Sequence, residues 1–98
     1  MNNETLGMVR QWQTVIYKKN YFATTLDRAP DFCKLADAYG LNSARATTVE
    51  ELENALTAAL KSVTETRKGF VIDCSINIDE MVRPMVAGGA NITDFIVH

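Results

Sequence analysis

The sequence predicts an α/β fold that forms only part of a larger parallel-sheet domain. Two runs have the composition of strands, and helical repeats of apolar residues lie before and between them, an order that packs with right-handed crossovers. Two strands make a poor sheet, yet the second begins with the near-continuous apolar run of a central strand covered on both faces. At 98 residues the chain is long enough for one small domain.

The first predicted helix runs from Leu6 to Tyr17 and carries two neighbouring apolar stripes. The first stripe is Leu6, Val9, Gln13 and Ile16, and the second is Met8, Trp12 and Val15. Together they cover more of the helix than packing on one surface needs, so a second apolar partner is expected. A Met and Trp stripe is more often core than a binding wall, and the spacing alone leaves both interpretations open. Tyr17, Phe22 and Phe32 are expected in the core.

The second helix is predicted from Pro30 to about Tyr39. Pro30 suits the first helical position, and Gly40 suits the left-handed residue that follows a helix end. A short, weak strand is predicted over 41–46. Its first residues follow the glycine directly, so the helix and the strand are joined by a tight turn.

A third helix begins at a Thr-x-x-Glu capping box formed by Thr48 and Glu51, and its apolar residues recur at helical spacing as far as Val63. Residues 62–69 are polar and form a predicted connection to the second strand, 70–76. The final segment, 79–98, contains one proline and two adjacent glycines, and it is predicted to be an irregular tail that wraps the surface. The sequence thus predicts about three helices, two strands and a tail.

The charge of the chain argues against a nucleic-acid partner. The formal net charge is -2 and the sequence pI is about 5.3, whereas a nucleic-acid binder needs a basic face. The apolar stretches are far shorter than the roughly 18 residues of a membrane span, and no signal-peptide pattern opens the sequence. These features predict a cytoplasmic protein with neither a membrane nor a nucleic-acid partner.

The reactive residue types are sparse. Cys33 and Cys74 form no Cys-x-x-Cys pair, so reduced core thiols are favoured over a zinc site, a disulfide or a nucleophile. The single histidine, His98, is the last residue, which argues against a Ser-His-Asp or Cys-His device built within this chain. Any catalysis is therefore expected to use a cofactor or groups from elsewhere.

The opening residues, Asn2 to Gln13 (NNETLGMVRQWQ), resemble the large catalytic subunit of acetolactate synthase, also called acetohydroxyacid synthase. The likeness continues through 30–40, 49–60 and Pro84-Met85-Val86, and it covers essentially the whole chain. It corresponds to the carboxyl-terminal end of the family's polypeptide. The resemblance therefore implies that 1–98 is the last portion of a thiamine-diphosphate-binding domain, with 79–98 as a tail extension.

The resemblance also implies a cofactor and metal site at the start of the first helix. The second asparagine of the pair binds the Mg²⁺ of the cofactor in the family, which assigns that role here to the side-chain oxygen of Asn3, with Thr5 giving its backbone carbonyl. Such oxygens suit Mg²⁺. Leu6, Gly7 and Met8 are the further cofactor-binding residues, since a helix beginning there presents free N–H groups to an anion. An Asn-Asn pair alone is more often a cap or a loop.

Met8, Val9 and Trp12 resemble the family's residues beside the thiazolium and the substrate channel. Trp12 corresponds to the residue that shapes the pocket for the second 2-oxo acid, where an aromatic face favours an ethyl over a methyl group. The implied reaction condenses pyruvate with pyruvate or 2-oxobutyrate, with loss of CO₂, in branched-chain amino acid biosynthesis.

The resemblance implies that the isolated chain is inactive. The Gly-Asp-Gly half of the metal motif, the glutamate that activates the cofactor and the FAD-binding domain are absent from the sequence, and no catalytic residue is assigned here. The implied partners are 2-oxo acids, the remainder of the subunit, further copies in a homo-oligomer and a regulatory small subunit. Two alternatives stay open, another thiamine-diphosphate carboligase or oxidase and a non-catalytic α/β interaction module.

Overall fold

Three α-helices, one π-helical turn and two small sheets form the fold in the computed structural model, which describes residues 1–96. The elements are α1 (Gly7–Val15), α2 (Phe32–Ala38), β1 (Asn42–Ala46), α3 (Val49–Lys61), β2 (Phe70–Cys74), β3 (Met85–Val86) and β4 (Phe95–Ile96). His98 lies outside the described residues. The α/β class with three helices and a two-stranded parallel sheet, predicted from the sequence, is confirmed.

The parallel sheet consists of β1 and β2. Strand β1 pairs with β2 from Asn42 opposite Phe70 to Ala46 opposite Cys74, and α3 forms the crossover between the two strands. Asn2 forms a parallel bridge with Ser75 on the other edge of β2. The backbone of β2 therefore has neighbours on both sides at its carboxyl end, which agrees with the central position that its apolar composition predicts.

The start of α2 differs from the prediction. Pro30 is not the first helical residue, because Asp31 is the N-cap and its carboxylate accepts hydrogen bonds from the N–H groups of Cys33 and Lys34, both at 3.1 Å. Aspartate is among the preferred N-cap residues because its carboxylate accepts from free N–H groups of the first turn, so the helix begins after Asp31. The left-handed residue after the helix is Gly40, with φ of 71°, as predicted.

The capping box of α3 is confirmed. The Thr48 hydroxyl accepts a hydrogen bond from the Glu51 N–H at 3.2 Å, and the Glu51 carboxylate accepts one from the Thr48 N–H at 3.2 Å. The predicted polar connection after this helix begins instead as a π-helical turn, Ser62–Thr66. Within that turn the Thr66 hydroxyl donates to the Ser62 carbonyl at 2.7 Å, and the turn ends at Arg67 in the left-handed region.

The core of the described residues is thin. The buried apolar residues are all alanines, Ala36, Ala46 and Ala55. Tyr17 and Phe22, expected in the core, are 59% and 82% exposed, so that prediction is wrong, whereas Phe32 is half-buried. The chain exposes 7589 Å², and a compact folded monomer of its mass exposes about 5,600 Å².

The overall dimensions agree with this excess. The Cα radius of gyration is 17.3 Å, compared with about 13 Å for a compact chain of this length. The large apolar side chains are therefore exposed because the described residues alone do not provide the second layer that would cover them.

The tail crosses α1 and is more ordered than predicted. Gln11, a buried residue of α1, donates through Nε2 to the Val82 carbonyl at 2.9 Å and accepts from the Val82 N–H at 2.8 Å. Beyond this clamp, β3 and β4 form a short antiparallel pair in a segment predicted to be irregular. Cys33 and Cys74 are free and only half-buried, whereas the sequence predicts reduced thiols in the core.

Candidate functional site

A tight turn of three polar residues, Asn3, Glu4 and Thr5, lies between the parallel sheet and α1, and we call it the Asn3–Thr5 turn. The Asn2 side-chain oxygen accepts the Glu4 N–H at 3.1 Å, and the Asn3 side-chain oxygen accepts the Thr5 N–H at 3.3 Å. These are two successive Asx turns, and Glu4 between them has a left-handed φ of 52°. The pair of asparagines therefore folds the backbone locally, and this places the Asn3 side chain and the Thr5 carbonyl in the same turn.

The end of this turn nearest α1 is hydrogen-bonded to residues 24–26. The buried Thr5 hydroxyl donates to the Thr24 carbonyl at 2.6 Å, and the Leu6 N–H donates to the same oxygen at 2.8 Å. The Leu26 N–H donates to the Glu4 carbonyl at 2.9 Å. Within residues 1–96 the Thr5 carbonyl accepts no hydrogen bond, so its lone pairs are available to another ligand.

Gly7, the first residue of α1, allows the Asn3 amide to lie against the helix. A Cβ at this position would be 2.7 Å from the Asn3 Nδ2, which is closer than real Cβ contacts allow. The absence of a side chain at Gly7 therefore determines where the amide of Asn3 can lie. Leu6, the N-cap residue, makes no side-chain cap, so the first N–H groups of α1 have no side-chain partner.

The donor set in this turn fits Mg²⁺. An amide oxygen and a free backbone carbonyl are hard, neutral ligands of the kind that Mg²⁺ accepts when a diphosphate supplies the negative charge. In the part of the chain that the structure describes, no three His, Cys, Asp or Glu side chains gather into a metal-binding group. The roles of Asn3 and Thr5 as metal ligands, and of Leu6, Gly7 and Met8 as cofactor-binding residues, stay predictions.

The first two turns of α1 line an open apolar cavity of about 540 Å³. Its lining residues are Met8, Val9, Trp12, Gln13, Tyr17 and Asn20. Met8 and Trp12 are one turn apart, and both are about half exposed, at 52% and 44%. The three residues predicted for the substrate pocket therefore lie on one wall, although their contact with a substrate stays a prediction.

Sequence reasoning missed the rest of this wall. Tyr17 was expected in the core, and Gln13 was assigned only to an apolar stripe. Lys18 and Lys19 both have left-handed φ angles, of 54° and 62°, and they turn the chain beyond α1 so that Asn20 reaches the same cavity. Two consecutive left-handed lysines have no sequence signature, since glycine or asparagine usually occupies such positions.

A polar cluster lies at the carboxyl edge of the parallel sheet. The buried carboxylate of Asp73, on β2, accepts from the Asn2 Nδ2 at 3.0 Å and from the Arg45 Nε at 3.3 Å. Arg45 also bonds Asp31 at 3.2 Å. The N–H of Lys34 is the largest influence that lowers the pKa of Asp31, and the Arg45 guanidinium lowers it further against an opposing effect of desolvation.

A helix that begins at the carboxyl edge of a parallel α/β sheet is typical of domains that bind phosphorylated cofactors. Residues 1–74 match the family model described as "Thiamine pyrophosphate enzyme, C-terminal TPP binding domain". The chain therefore belongs to this family of thiamine pyrophosphate-binding domains.

The chain is also similar to catalytic subunits of acetolactate synthase, which confirms the resemblance found in the sequence. It is 39% identical over 94 residues to the acetolactate synthase large subunit of Buchnera aphidicola subsp. Schizaphis graminum, covering 96% of this chain and 16% of the relative. It is 40% identical over 96 residues to the mitochondrial catalytic subunit of Saccharomyces cerevisiae, covering 98% and 13%. For the isozyme 3 large subunit of Escherichia coli the identity is 37% over 94 residues, covering 96% and 16%.

The chain spans only 13% to 16% of the length of these relatives, and the match lies in their carboxyl-terminal part. No helix in residues 1–96 is long and apolar enough to cross a membrane. The expected cytoplasmic location stays a prediction.

Proposed function

We propose that this chain is the carboxyl-terminal portion, with 79–98 as its tail, of the cofactor-binding domain of an acetolactate synthase catalytic subunit. The whole subunit condenses two 2-oxo acids with loss of CO₂ in branched-chain amino acid biosynthesis. The observation that carries the proposal is the position of α1, which follows the Asn3–Thr5 turn after Leu6 and forms the wall of the apolar cavity in its first two turns. A single rigid helix thereby joins a site for a charged group to a site for an apolar one.

At the amino end of α1, Asn3 and Thr5 contribute two oxygen ligands to Mg²⁺. The uncapped first turn of the helix, at Leu6 and Gly7, offers N–H groups to the diphosphate. When bound, thiamine diphosphate supplies the electron sink for loss of CO₂ from one 2-oxo acid and for bond formation to the second. The residues of this chain bind and orient the charged end of the cofactor.

Within the first two turns of α1, Met8, Val9 and Trp12 form the apolar wall of the substrate pocket. Their half-exposed side chains exclude water from the reacting groups once the opposite wall is in place. The flat face of Trp12 packs against the alkyl group of the second 2-oxo acid, and it favours ethyl over methyl because the longer group buries more apolar surface.

The rest of the catalytic machinery comes from other polypeptide. The surface that the chain exposes in excess of a compact monomer, about 2,000 Å², exceeds the roughly 800 Å² that one partner buries in a standard interface, which supports such a partner. The remainder of the subunit brings the Gly-Asp-Gly motif, the activating glutamate and the FAD domain. Homo-oligomers and a regulatory small subunit are further partners of the complete enzyme.

The exposed apolar face of Met8, Trp12 and Val15 also favours a second candidate, a non-catalytic interaction module that uses this face to dock a partner. In the module the Asn3–Thr5 turn has no ligand. Another thiamine-diphosphate carboligase or oxidase remains the alternative enzyme, and the two enzymes differ in their preference for the second substrate.

A hybrid subunit tests the proposal. It consists of the Escherichia coli isozyme 3 large subunit with its matching segment replaced by this chain, and the unaltered Escherichia coli subunit is the control. We expect the hybrid to bind thiamine diphosphate with Mg²⁺ and to form acetolactate from pyruvate. A folded hybrid that binds no cofactor would favour the interaction module.

The 98-residue chain alone should bind thiamine diphosphate and Mg²⁺ more weakly than micromolar, because two oxygen ligands are too few for a hydrated Mg²⁺–diphosphate. Calorimetry measures this directly. Micromolar binding by the isolated chain would contradict the proposed division of the site.

A further inference from the structure

Asp73 is the one charged side chain that is buried in residues 1–96, and its side chain is only 4% exposed. A buried carboxylate is unfavourable unless it is paired and hydrogen-bonded. Asp73 has two partners, the Asn2 amide at 3.0 Å and the Arg45 guanidinium at 3.3 Å. Asp73 therefore carries a desolvation cost that an apolar residue at this position of β2 would avoid. The role of Asp73 is to be sought in the contacts that its carboxylate makes with these two partners.

The ion pair with Arg45 does not by itself explain why a carboxylate is buried at position 73. The Arg45 side chain is 52% exposed, and ion pairs with such a partner contribute little to stability. The hydrogen bond to Asn2 is different, because it joins the strand to the turn that contains Asn3 and Thr5. Asn2 is fixed to the same strand by its backbone, since its N–H donates to the Cys74 carbonyl at 2.7 Å.

The Asn2 side chain connects the two features. Its Nδ2 donates to Asp73 while its Oδ1 accepts the Glu4 N–H, so the two contacts together define the orientation of the amide. The Oδ1 contact closes the Asx turn that leads to Thr5. A continuous set of hydrogen bonds therefore runs from Arg45 through Asp73 and Asn2 to the backbone before α1.

We propose that Asp73, held by Arg45, is a positioning residue that orients the Asn3–Thr5 turn through the Asn2 amide. The inference rests on the proposed metal site in that turn. Asp73 lies on the strand side of Asn2 and acts on the ligands only through this amide. It follows that breaking the Asn2–Asp73 contact weakens Mg²⁺ binding even when the change adds a negative charge near the cation.

The decisive variant is Asn2→Asp in the hybrid subunit. The new carboxylate keeps an acceptor for the Glu4 N–H but faces the carboxylate of Asp73, so the turn is pushed away from β2. Simple electrostatics predicts tighter Mg²⁺ binding, whereas positioning predicts weaker binding. We expect the Mg²⁺ dissociation constant, measured by calorimetry at saturating thiamine diphosphate, to rise at least tenfold.

Adding Asp73→Asn to this variant restores the hydrogen bond between positions 2 and 73 with its direction reversed. The amide at position 73 now donates, and the carboxylate at position 2 accepts. We expect the double variant to recover Mg²⁺ affinity to within about threefold of the unaltered hybrid. Asn54→Asp, which adds the same charge on the exposed face of α3, is the matched control and should leave the dissociation constant unchanged. Hydrogen exchange of residues 1–8 in the metal-free protein should rise in Asn2→Asp and recover in the double variant.

The inference is overturned if Asn2→Asp binds Mg²⁺ as tightly as the unaltered hybrid, or if Asp73→Asn brings no recovery. If Asn2→Asp does not fold, Asp73→Ala alone decides, because alanine leaves the Asn2 amide without its acceptor on β2. We expect a several-fold rise in the dissociation constant, and no change would contradict the inference. Failure of the unaltered hybrid to bind Mg²⁺ would instead overturn the proposed function and this inference with it.

Discussion

Replacing Gly7 by alanine separates the stability of α1 from the geometry of the metal site. The new Cβ would lie 2.7 Å from the Asn3 Nδ2, and an ordinary contact requires about 3.4 Å. The amide of Asn3 must therefore move by about 0.7 Å. The contacting atom is the far end of a flexible side chain, so the backbone can stay in place and the movement itself is inexpensive.

The same movement is large for a Mg²⁺ ligand. Mg²⁺ holds its oxygens at about 2.0–2.1 Å in near-ideal octahedral geometry, so a ligand displaced by about 0.7 Å is largely lost. Changes that misplace a metal ligand typically reduce affinity about 10- to 100-fold. The helix itself gains, because alanine is favoured over glycine in a helix by up to about 1 kcal/mol. We therefore expect weaker Mg²⁺ binding together with an unchanged or slightly higher melting temperature.

The measurement compares Gly7→Ala with Gly88→Ala in the hybrid subunit. A Cβ at Gly88 would meet no atom within 4 Å, so this control adds the same methyl group without a contact. Calorimetry gives the Mg²⁺ dissociation constant at saturating thiamine diphosphate, and thermal unfolding without cofactor gives the stability. Equal Mg²⁺ affinity in the two variants would refute the argument that Gly7 determines where the Asn3 amide lies.

Two further predictions concern the substrate wall and the helix caps. Trp12→Leu in the hybrid should reduce the preference for 2-oxobutyrate over pyruvate as second substrate about tenfold, measured from competing product yields, because one methylene in an apolar pocket is worth about that factor. An unchanged preference would remove Trp12 from the pocket. The hydrogen bond from the Thr47 hydroxyl is the largest influence that lowers the pKa of Glu51 below its ordinary 4.5. A lowered pKa stabilises the folded state above the ordinary value, and this stabilisation is lost as the pH falls through the folded-state pKa. Helix content followed by circular dichroism should therefore decline below about pH 4.5, less steeply in Glu51→Gln, and equal slopes would contradict this role of Glu51.

Local signals in the sequence predicted local structure well. The capping box of Thr48 and Glu51 has both its partners within four residues, so its geometry follows from the helix itself. The left-handed conformation of Gly40 was predictable in the same way, because it depends only on the end of the helix that precedes it. The start of α2 was predicted two residues too early, at Pro30 instead of Phe32, because Pro30 and Asp31 both suit a helix start and only the hydrogen bonds of the carboxylate decide between them.

Features that depend on distant parts of the chain were not predictable in this way. Gln11 lies outside both predicted apolar stripes of α1, and it is buried against the tail, where its Nε2 contacts the Val82 carbonyl and the Met85 sulfur, more than 70 positions away. Tyr17 and Phe22 are aromatic residues of the kind found in cores, but no part of residues 1–96 packs over their side chains enough to bury them. For the candidate site, the sequence singled out Met8, Val9 and Trp12, which share one cavity, yet it gave no sign of the contact between Asp73 and Asn2.

At Val82 the Gln11 side chain bonds only main-chain atoms, one N–H and one carbonyl. The Val82 side chain is exposed, so this contact does not depend on the identity of the side chain at position 82. Most substitutions at this position should therefore be neutral. Proline is the exception, because it lacks the N–H that Gln11 accepts.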